Sequence, residues 1–325
     1  MQRELEKNCF IPPDVMKEED YHADPCKHPS LSSTMANTLI EKTEIEAFNQ
    51  SKRLNPEVKD KKSDPMDLGT MAHELILQKK QDTFVINEAF DAWRSDAAKS
   101  WKKTIEDQGK IALNANTKGK VVQVEAMRDA LFEQLKDHKD YSGILQKGRG
   151  EVAGFAFDDG IWKRAKFDFI DDYKQPEHPE VDILVDYKTT GLTFDKWEKG
   201  ELWGDGGKYI QNPHYRSVYE AITNRKCKFI WVVQRTVEPF LVRIYEIDDG
   251  YVEEVTLRYQ QAVLKFKNCV ANNIWRGEVP YTFHSYPPTW TLNKWDMDKL
   301  TAEAIEREEK KKQPPEEPLD LTAAG

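Results

Sequence analysis

The sequence is poor in cysteine and has no long apolar run, and each of these absences excludes a class of protein. The 325 residues include only four cysteines, and no two of them form a C-x-x-C pair. Scattered cysteines argue against a disulfide scaffold and against zinc or iron–sulfur ligation, and they favour free thiols in a reducing compartment. The four are Cys9, Cys26, Cys227 and Cys269.

No stretch approaches the roughly 20 apolar residues that cross a bilayer, and the first residues lack a signal-peptide pattern. We therefore expect a soluble cytoplasmic protein without a membrane partner. Positive charge is also in deficit, because the formal net charge is −9. This counts mildly against nucleic-acid binding but does not exclude it, since binding depends on where the basic groups lie rather than on their sum.

The chain has enough apolar material for one large core, because 39% of its residues are hydrophobic. Residues 1–30 are polar and show no periodicity, so we predict an N-terminal arm. Residues 31–298 are predicted to form a single α/β domain, in which helices flank a mixed central sheet. Residues 299–325 are predicted to form a charged helix and a flexible tail that contains Gln313–Glu317.

Hydrophobic periodicity predicts the individual elements of this domain. A helical spacing covers Leu68–Lys79, with His73 near its middle, and residues 88–145 are predicted to be mainly helical. From Glu151 the period changes to two, which predicts a hairpin with a turn at residues 158–160. The other predicted elements are a strand ending at Lys188, a helix over Ile210–Thr223, strands over Lys228–Gln234 and Leu241–Ile247, and a long amphipathic helix from Tyr251 to Val270.

The most informative stretch is Asp186-Tyr187-Lys188, which ends the mostly apolar run Val181–Val185. Side chains alternate faces along a strand, so Asp186 and Lys188 are expected to project from one side and Tyr187 from the other. Asp168 offers another carboxylate on an earlier strand. An acid on one strand and D-x-K on the next suit metal-dependent phosphodiester hydrolysis. The ion neutralises the scissile phosphate, and the lysine orients water and stabilises developing charge.

These residues also have purely structural interpretations. The D-x-K pattern by itself is common and can form a surface salt bridge on an edge strand. Glu151 and Asp168 have neighbouring carboxylates as rivals, although only Asp168 lies within an alternating run. Arg164 and Lys166 share the face of Asp168, where they could contact phosphate or neutralise the acidic groups. The rivals are Asp158 and Asp159 for Glu151, and Asp171 and Asp172 for Asp168.

Taken together, the candidates resemble the motif set of the PD-(D/E)xK nuclease superfamily, and they are most similar to the exonuclease VIII (RecE-type) domain of its RecB-like branch. Residues 68–75 resemble the family's GtafH helix, residues 186–190 its DxKTT strand, and residues 211–219 its Q-x-x-x-Y helix. The resemblance implies a restriction-endonuclease-like core with added helices. In chain order the set is Gly69-x-x-x-His73, Glu151, Asp168, Asp186-x-Lys188 and Gln211-x-x-x-Tyr215.

The resemblance also implies a role for each residue. Asp168 and Asp186 are expected to be the main Mg²⁺ ligands, helped by the backbone carbonyl of Tyr187, and Lys188 is expected to position the nucleophilic water. Mn²⁺ is expected to substitute for Mg²⁺, because hard oxygen ligands suit both ions better than zinc.

Four further residues complete the implied site. Glu151 is expected to bind a second ion or its hydration shell, and His73 to complete the coordination, although a histidine on such a helix can also be a hydrogen-bonded core residue. Gln211 and Tyr215 lie one helical turn apart and are expected to reach the site, although Tyr215 can also belong to the core. Pro213 lies between them and is tolerated only in a first turn, so this helix is expected to begin near residue 210.

The activity implied by the resemblance is degradation of linear double-stranded DNA from its ends, 5′ to 3′, leaving 3′ overhangs for homologous recombination in bacteria or phage. It further implies a ring-shaped homo-oligomer around the duplex and a single-strand annealing protein as a partner. One alternative is a DNA endonuclease of the same superfamily, acting at flaps or internal sites. Another is a non-catalytic DNA-binding protein with the nuclease fold, against which the complete acid–acid–lysine set argues.

Overall fold

The computed structural model describes residues 4–58, 68–77, 84–108, 110–278, 282 and 284–312. These residues divide into two units, which span Met1–Gly277 and Glu278–Gly325. The second unit contains one long helix, and the predicted tail at residues 313–317 lies outside the described residues. None of the helices in the described part of the chain has the length and apolarity of a bilayer-spanning segment.

The described elements comprise nine strands and ten α-helices. The strands are β1 (Cys9–Ile11), β2 (Ser30–Leu31), β3 (Phe84–Asn87), β4 (Ile111–Asn114), β5 (Gly148–Asp158), β6 (Ile161–Asp171), β7 (Asp182–Thr190), β8 (Cys227–Arg235) and β9 (Val242–Tyr245). The helices are α1 (Glu18–His22), α2 (Ser33–Glu41), α3 (Glu44–Phe48), α4 (Leu68–Ile76), α5 (Asp96–Glu106), α6 (Lys118–Leu135), α7 (Phe194–Trp197), α8 (Gln211–Thr223), α9 (Asp249–Asn272) and α10 (Thr289–Lys312).

Seven strands form one mixed sheet in the order β1-β5-β6-β7-β8-β9, with β2 paired to β6. Strands β5, β6 and β7 are antiparallel neighbours, β7 and β8 are parallel, and β8 and β9 are antiparallel. Helix α8 makes the crossover between the two parallel strands, as a parallel pair requires. The predicted α/β class with a mixed central sheet is therefore confirmed.

Hydrophobic clusters cover both faces of this sheet, and the side chains of β7 alternate between them. Val185 and Tyr187 pack with residues of α4 and α6, whereas Leu184 packs with residues of α2, α8 and α9. Asp186 follows Val185 on a strand that is buried on both faces. The sheet is thus enclosed between layers of helices, and its central strand carries the D-x-K pattern.

The predicted hairpin is present as β5 and β6, which pair in register from Gly148↔Asp171 to Asp158↔Ile161. The turn between them places Asp159 at φ 54° and Gly160 at φ 78°, the positive values that a tight two-residue hairpin turn requires. Both strands are longer than predicted. Helix α8 begins at Gln211 with Pro213 in its first turn, as the proline predicts.

Two regions differ from the predictions. The N-terminal residues do not remain an arm, because β1 pairs with β5 and β2 pairs with β6. The region from 88 to 145 is not uniformly helical, because β4 pairs with β3 in a separate two-stranded parallel sheet. These strands have two to four residues. Such short segments are too brief to show a period of two, and distant partners decide their structure.

Candidate metal centre

The candidate site lies where β6 and β7 stop pairing. Their register covers only three pairs and ends at Phe169↔Val185, so Asp168 and Asp186 are the first residues beyond the paired segment on each strand. Lys188 lies between the two carboxylates, with its Nζ 2.8 Å from Asp186 Oδ2 and 3.3 Å from Asp168 Oδ2. The three charged groups of the predicted acid–acid–lysine set therefore meet at one point.

His73 of α4 approaches the same point from one face of the sheet. Its Nε2 lies 2.8 Å from the backbone oxygen of Tyr187 and 3.8 Å from Asp168 Oδ2, and its Nδ1 lies 3.2 Å from Glu151 Oε1. Both ring nitrogens thus face acceptors. Burial disfavours the charged ring, but the carboxylates of Asp168 and Glu151 outweigh burial and raise the pKa of His73 above its ordinary value.

Three of these side chains form a group that could hold a cation. One ligand atom each from His73, Glu151 and Asp168 lie within 4.8 Å of one another. Carboxylate oxygens are the ligands that Mg²⁺ and Mn²⁺ prefer, and one imidazole nitrogen is compatible with Mn²⁺. This trio does not include Asp186, whose Oδ2 contacts Lys188 instead.

Asp186 is a buried carboxylate of the site that is incompletely satisfied. The residue is 1% exposed, and its Oδ1 has no hydrogen-bond partner among the residues that the structure describes. Burial raises the pKa of Asp186 to about 6, against the opposing charge of Lys188. An incompletely satisfied buried carboxylate is costly unless a cation or hydrogen bond compensates it. A divalent cation would satisfy this oxygen, so the residues present fit the implied metal.

The backbone at Glu151 is held in an uncommon conformation. Its φ is 54°, in the left-handed region, between the regular pairs Gly150↔Phe169 and Val152↔Phe167. A non-glycine residue held in such a conformation costs about 1–3 kcal/mol, and residues of this kind cluster at functional sites. The Glu151 side chain is 10% exposed, and the local turn of the backbone directs it to His73.

The glycine before Glu151 lets α4 approach the sheet closely. A Cβ at Gly150 would lie 2.6 Å from the carbonyl oxygen of Leu77, which follows the last turn of α4. No side chain fits in that space without moving the backbone. Gly150 therefore positions the end of the helix that carries His73.

Lys188 remains protonated in this environment. Burial opposes its charge, but Asp168 and Asp186 outweigh burial and raise its pKa above the ordinary value for lysine. A lysine in this state cannot accept a proton at neutral pH. It can donate hydrogen bonds to a water molecule or to a phosphate oxygen, and it can stabilise developing negative charge.

Gln211 and Tyr215 lie on the α8 side of the sheet. The Oε1 of Gln211 accepts a hydrogen bond from Trp231 Nε1 at 3.1 Å. Tyr215 is 8% exposed and packs edge-on against Phe167, with a ring-centroid distance of 5.4 Å. Burial, followed by the charges of Asp186 and Asp168, raises the pKa of Tyr215. Tyr215 therefore belongs to the core, and it lies close enough to the site for the charges of Asp186 and Asp168 to affect its pKa.

Three of the four rival carboxylates have structural partners elsewhere. Asp171 accepts a hydrogen bond from the backbone N–H of Leu145 at 2.6 Å. Asp158 and Asp159 both bind the buried amine of Lys163, at 2.6 and 2.7 Å. These contacts fix the ends of β5 and β6 and leave Glu151 and Asp168 as the carboxylates that face His73.

Lys166 contacts the site and Glu18 of α1 contacts Lys166, and no pattern in the sequence points to Glu18. Lys166 Nζ lies 2.9 Å from Glu151 Oε2 and 2.5 Å from Glu18 Oε2. Of the two roles open to Arg164 and Lys166, neutralisation of acidic groups describes their contacts in the structure. Arg164 is buried and pairs with Asp24 at 3.0 Å. No local pattern in the sequence links residue 18 to residue 166.

A mixed sheet that carries an acid on one strand and D-x-K on the next, flanked by helices, is the arrangement of the PD-(D/E)xK fold. Residues 32–278 match the family model described as a PDDEXK-like domain of unknown function (DUF3799), and the chain belongs to this family. The match supports the predicted superfamily but does not single out the exonuclease VIII type.

Comparison with solved structures also found a match. A protein described as a putative exonuclease from Eubacterium rectale is 15% identical to this chain. The similarity covers 83% of this chain and 96% of that one, with a TM-score of 0.48. None of the curated proteins matches this chain.

Proposed function

We propose that this protein is a divalent-metal-dependent exodeoxyribonuclease that degrades linear double-stranded DNA from its ends. The observation that carries the proposal is the position of Lys188, which bridges Asp168 and Asp186 at the point where β6 and β7 separate. His73 and Glu151 lie beside this bridge. The family to which the chain belongs supports the nuclease class, and Mg²⁺ as the natural ion is part of the proposal.

The reaction is the hydrolysis of a phosphodiester bond. Asp168, Asp186, Glu151, His73 and the carbonyl of Tyr187 would hold Mg²⁺ or Mn²⁺, which supplies charge to neutralise the phosphate and to acidify a bound water molecule. The water oxygen forms a bond to phosphorus as the bond to the leaving oxygen breaks. The attacking water releases a proton to solvent, and the leaving oxygen takes up a proton from solvent.

The residues of the chain prepare this step in three ways. The protonated Lys188 donates hydrogen bonds to the attacking water and to the phosphate oxygens, where negative charge develops. The carboxylate of Asp186 is buried and its Oδ1 has no partner among the described residues, so a bound cation would be favourable there. The ring of His73 lies between the Tyr187 carbonyl and the Glu151 carboxylate, so one nitrogen would bind the ion while the other keeps its contact with an oxygen of the site.

The finer parts of the proposal rest on the resemblance to nucleases of the exonuclease VIII type. They are 5′ to 3′ polarity, 3′ overhangs for recombination, a ring-shaped homo-oligomer and an annealing protein as partner. A closed ring would hold an acidic protein on DNA, because a protein that encircles the duplex cannot dissociate sideways. Basic residues lining the ring would add to this effect and are compatible with the overall net charge of −9. We also propose a cytoplasmic location.

The experiment that tests the proposal compares two forms of duplex DNA with Mg²⁺. One substrate is a linear duplex with a label on each 5′ end in turn, and the other is a covalently closed circle. We expect loss of the linear substrate, an intact circle and no reaction in EDTA, with activity restored by added Mg²⁺. Cleavage of the circle would instead indicate an endonuclease, and no cleavage of either substrate would contradict the proposal.

A matched pair of lysine variants links the reaction to the site. Lys188→Met should lower the cleavage rate on the order of a thousandfold, because it removes the donor that faces the developing charge. Lys139→Met is the control, because Lys139 is exposed on the loop after α6. Equal rates for the two variants would contradict the assigned role of Lys188.

A further inference from the structure

Seven titratable side chains form a continuous row from the N-terminal helix α1 to β7, and acids alternate with bases along it. The inner part of the row is the candidate site itself. The outer part runs from Glu18 through Lys166 to Glu151, with N···O distances of 2.5 and 2.9 Å. In order, the members are Glu18, Lys166, Glu151, His73, Asp168, Lys188 and Asp186.

Lys166 contacts one of the two oxygens of Glu151, a carboxylate that would help to hold the ion. Glu151 Oε1 contacts His73, and Glu151 Oε2 contacts Lys166. A divalent ion bound to Glu151 therefore meets the positive charge of Lys166 at close range. Two like charges a few ångströms apart repel strongly in a partly buried setting, because the local dielectric constant is low. The Lys166 side chain is 31% exposed and that of Glu151 is 10% exposed, so screening by water is incomplete.

Lys166 also forms an ion pair with a second carboxylate, that of Glu18. Glu18 lies on α1, outside the residues that match the family model, and its side chain is 56% exposed. Lys166 is therefore shared between two carboxylates, Glu18 and Glu151. Lys188 differs in this respect, because both of its carboxylate partners belong to the site.

We propose that Lys166 is a positioning residue that acts as an internal counter-ion of Glu151 and lowers the affinity of the site for a divalent ion. Glu18 opposes this effect by drawing the charge of Lys166 away from Glu151. Through this pair the N-terminal helix sets how readily the site takes up its ion. The inference rests on the metal site of the proposed function and concerns its regulation.

The test measures binding of Mn²⁺ directly, from the free-ion signal in electron paramagnetic resonance, without DNA. Lys166→Met should bind Mn²⁺ about tenfold more tightly, because the competing charge is gone. Glu18→Gln should bind it about threefold more weakly, because Lys166 then pairs with Glu151 alone. The double variant should match Lys166→Met, since Glu18 acts only through Lys166. Glu201→Gln is the control, because Glu201 forms a similar pair with Lys208 at 2.7 Å.

Two results would overturn the inference. One is a Lys166→Met affinity equal to or weaker than that of the parent protein. The other is an equal effect of Glu18→Gln whether or not Lys166 is present. If the methionine variant does not fold, Lys166→Gln removes the same charge and takes its place in the cycle.

Parallel cleavage assays separate this inference from the proposed function. A protein that cuts linear DNA but binds Mn²⁺ equally in all variants would overturn only the inference. A protein that shows the expected affinity shifts but cuts no DNA would overturn only the proposed function. Absence of Mn²⁺ binding by the parent protein would overturn both.

Discussion

Asp24 and Asp186 are equally buried aspartates, each 1% exposed and each paired with a cation, yet their surroundings differ. Both oxygens of Asp24 are satisfied, because they accept hydrogen bonds from the N–H and hydroxyl of Ser30 at 2.7 and 2.8 Å and pair with Arg164. Asp186 has Lys188 at one oxygen, and its other oxygen has no partner among the described residues.

This difference indicates that Asp24 stabilises the fold and that Asp186 has a role in the candidate site. A buried charge with all its hydrogen bonds made holds structure together, and removal of its partner is costly. A buried charge left incompletely satisfied destabilises the protein and persists where it has a function. Asp24 links the N-terminal residues to β6 through its salt bridge with Arg164, whereas Asp186 has an oxygen that a bound cation would satisfy.

The largest effect is expected from Asp186→Asn. Cleavage of linear DNA should fall on the order of a thousandfold, because the ion loses a carboxylate ligand. The free energy of unfolding at pH 7 without metal should rise by about 1–3 kcal/mol, because a buried charge is removed. Urea denaturation in EDTA and a cleavage assay measure the two effects. The exposed control Asp137→Asn should change neither the cleavage rate nor the stability. A loss of stability in Asp186→Asn would contradict the contrast between Asp24 and Asp186.

The next largest effect is expected at the buried pair of Asp24 and Arg164. Asp24→Asn or Arg164→Met should lower the free energy of unfolding by about 3–5 kcal/mol, because each leaves a buried charge without its partner. The double variant should recover part of that loss, since it leaves no unpaired charge. Urea denaturation measures all three variants. A loss below about 1 kcal/mol in both single variants would show that the pair does not fasten the N-terminal residues.

A smaller effect is expected when pH is varied without metal. Burial raises the pKa of Asp186 to about 6, above its ordinary value of 3.8, so the folded state binds this proton before the unfolded state does. The contribution of Asp186 is therefore unfavourable above pH 6 and is relieved as pH falls from 6 towards 4, by roughly 1 kcal/mol per unit. The stability difference between Asp186→Asn and the parent protein should shrink over this range. A constant difference would contradict the raised pKa.

These expectations show how far the sequence alone leads. Strand alternation and the D-x-K pattern predict that Asp168, Asp186 and Lys188 converge, because these residues lie on long strands of regular period. The roles of Glu18 and Asp24 could not be predicted in this way. Both lie in the N-terminal residues, whose structure depends on distant partners in β5 and β6 rather than on a local pattern.

The left-handed backbone of Glu151 also lies beyond sequence reasoning. Its φ of 54° is not favoured by glutamate, and Gly150 beside it is the residue that local rules would select for an irregular conformation. The contact of Gly150 with the end of α4 explains why the glycine is needed there instead. A local rule fails here because a long-range contact takes precedence, at a residue of the candidate site.

The smallest effect is expected from Gln211→Ala. Its Oε1 bonds Trp231 within the α8 side of the sheet, so the variant should lower cleavage by less than about tenfold. The cleavage assay on linear duplex measures this change beside Lys188→Met. A loss as large as that of Lys188→Met would place Gln211 among the groups that contact substrate.

The central claim is that Asp168, Asp186, Glu151 and His73 share a divalent ion at the point where β6 and β7 separate. A crystal soaked in Mn²⁺ tests it most directly, because the anomalous signal of manganese locates the ion without reference to activity. We predict a peak in contact with Asp168 and Asp186, with Lys188 moved from its bridge between them. No peak at this position, with the Lys188 bridge unchanged, would contradict the account.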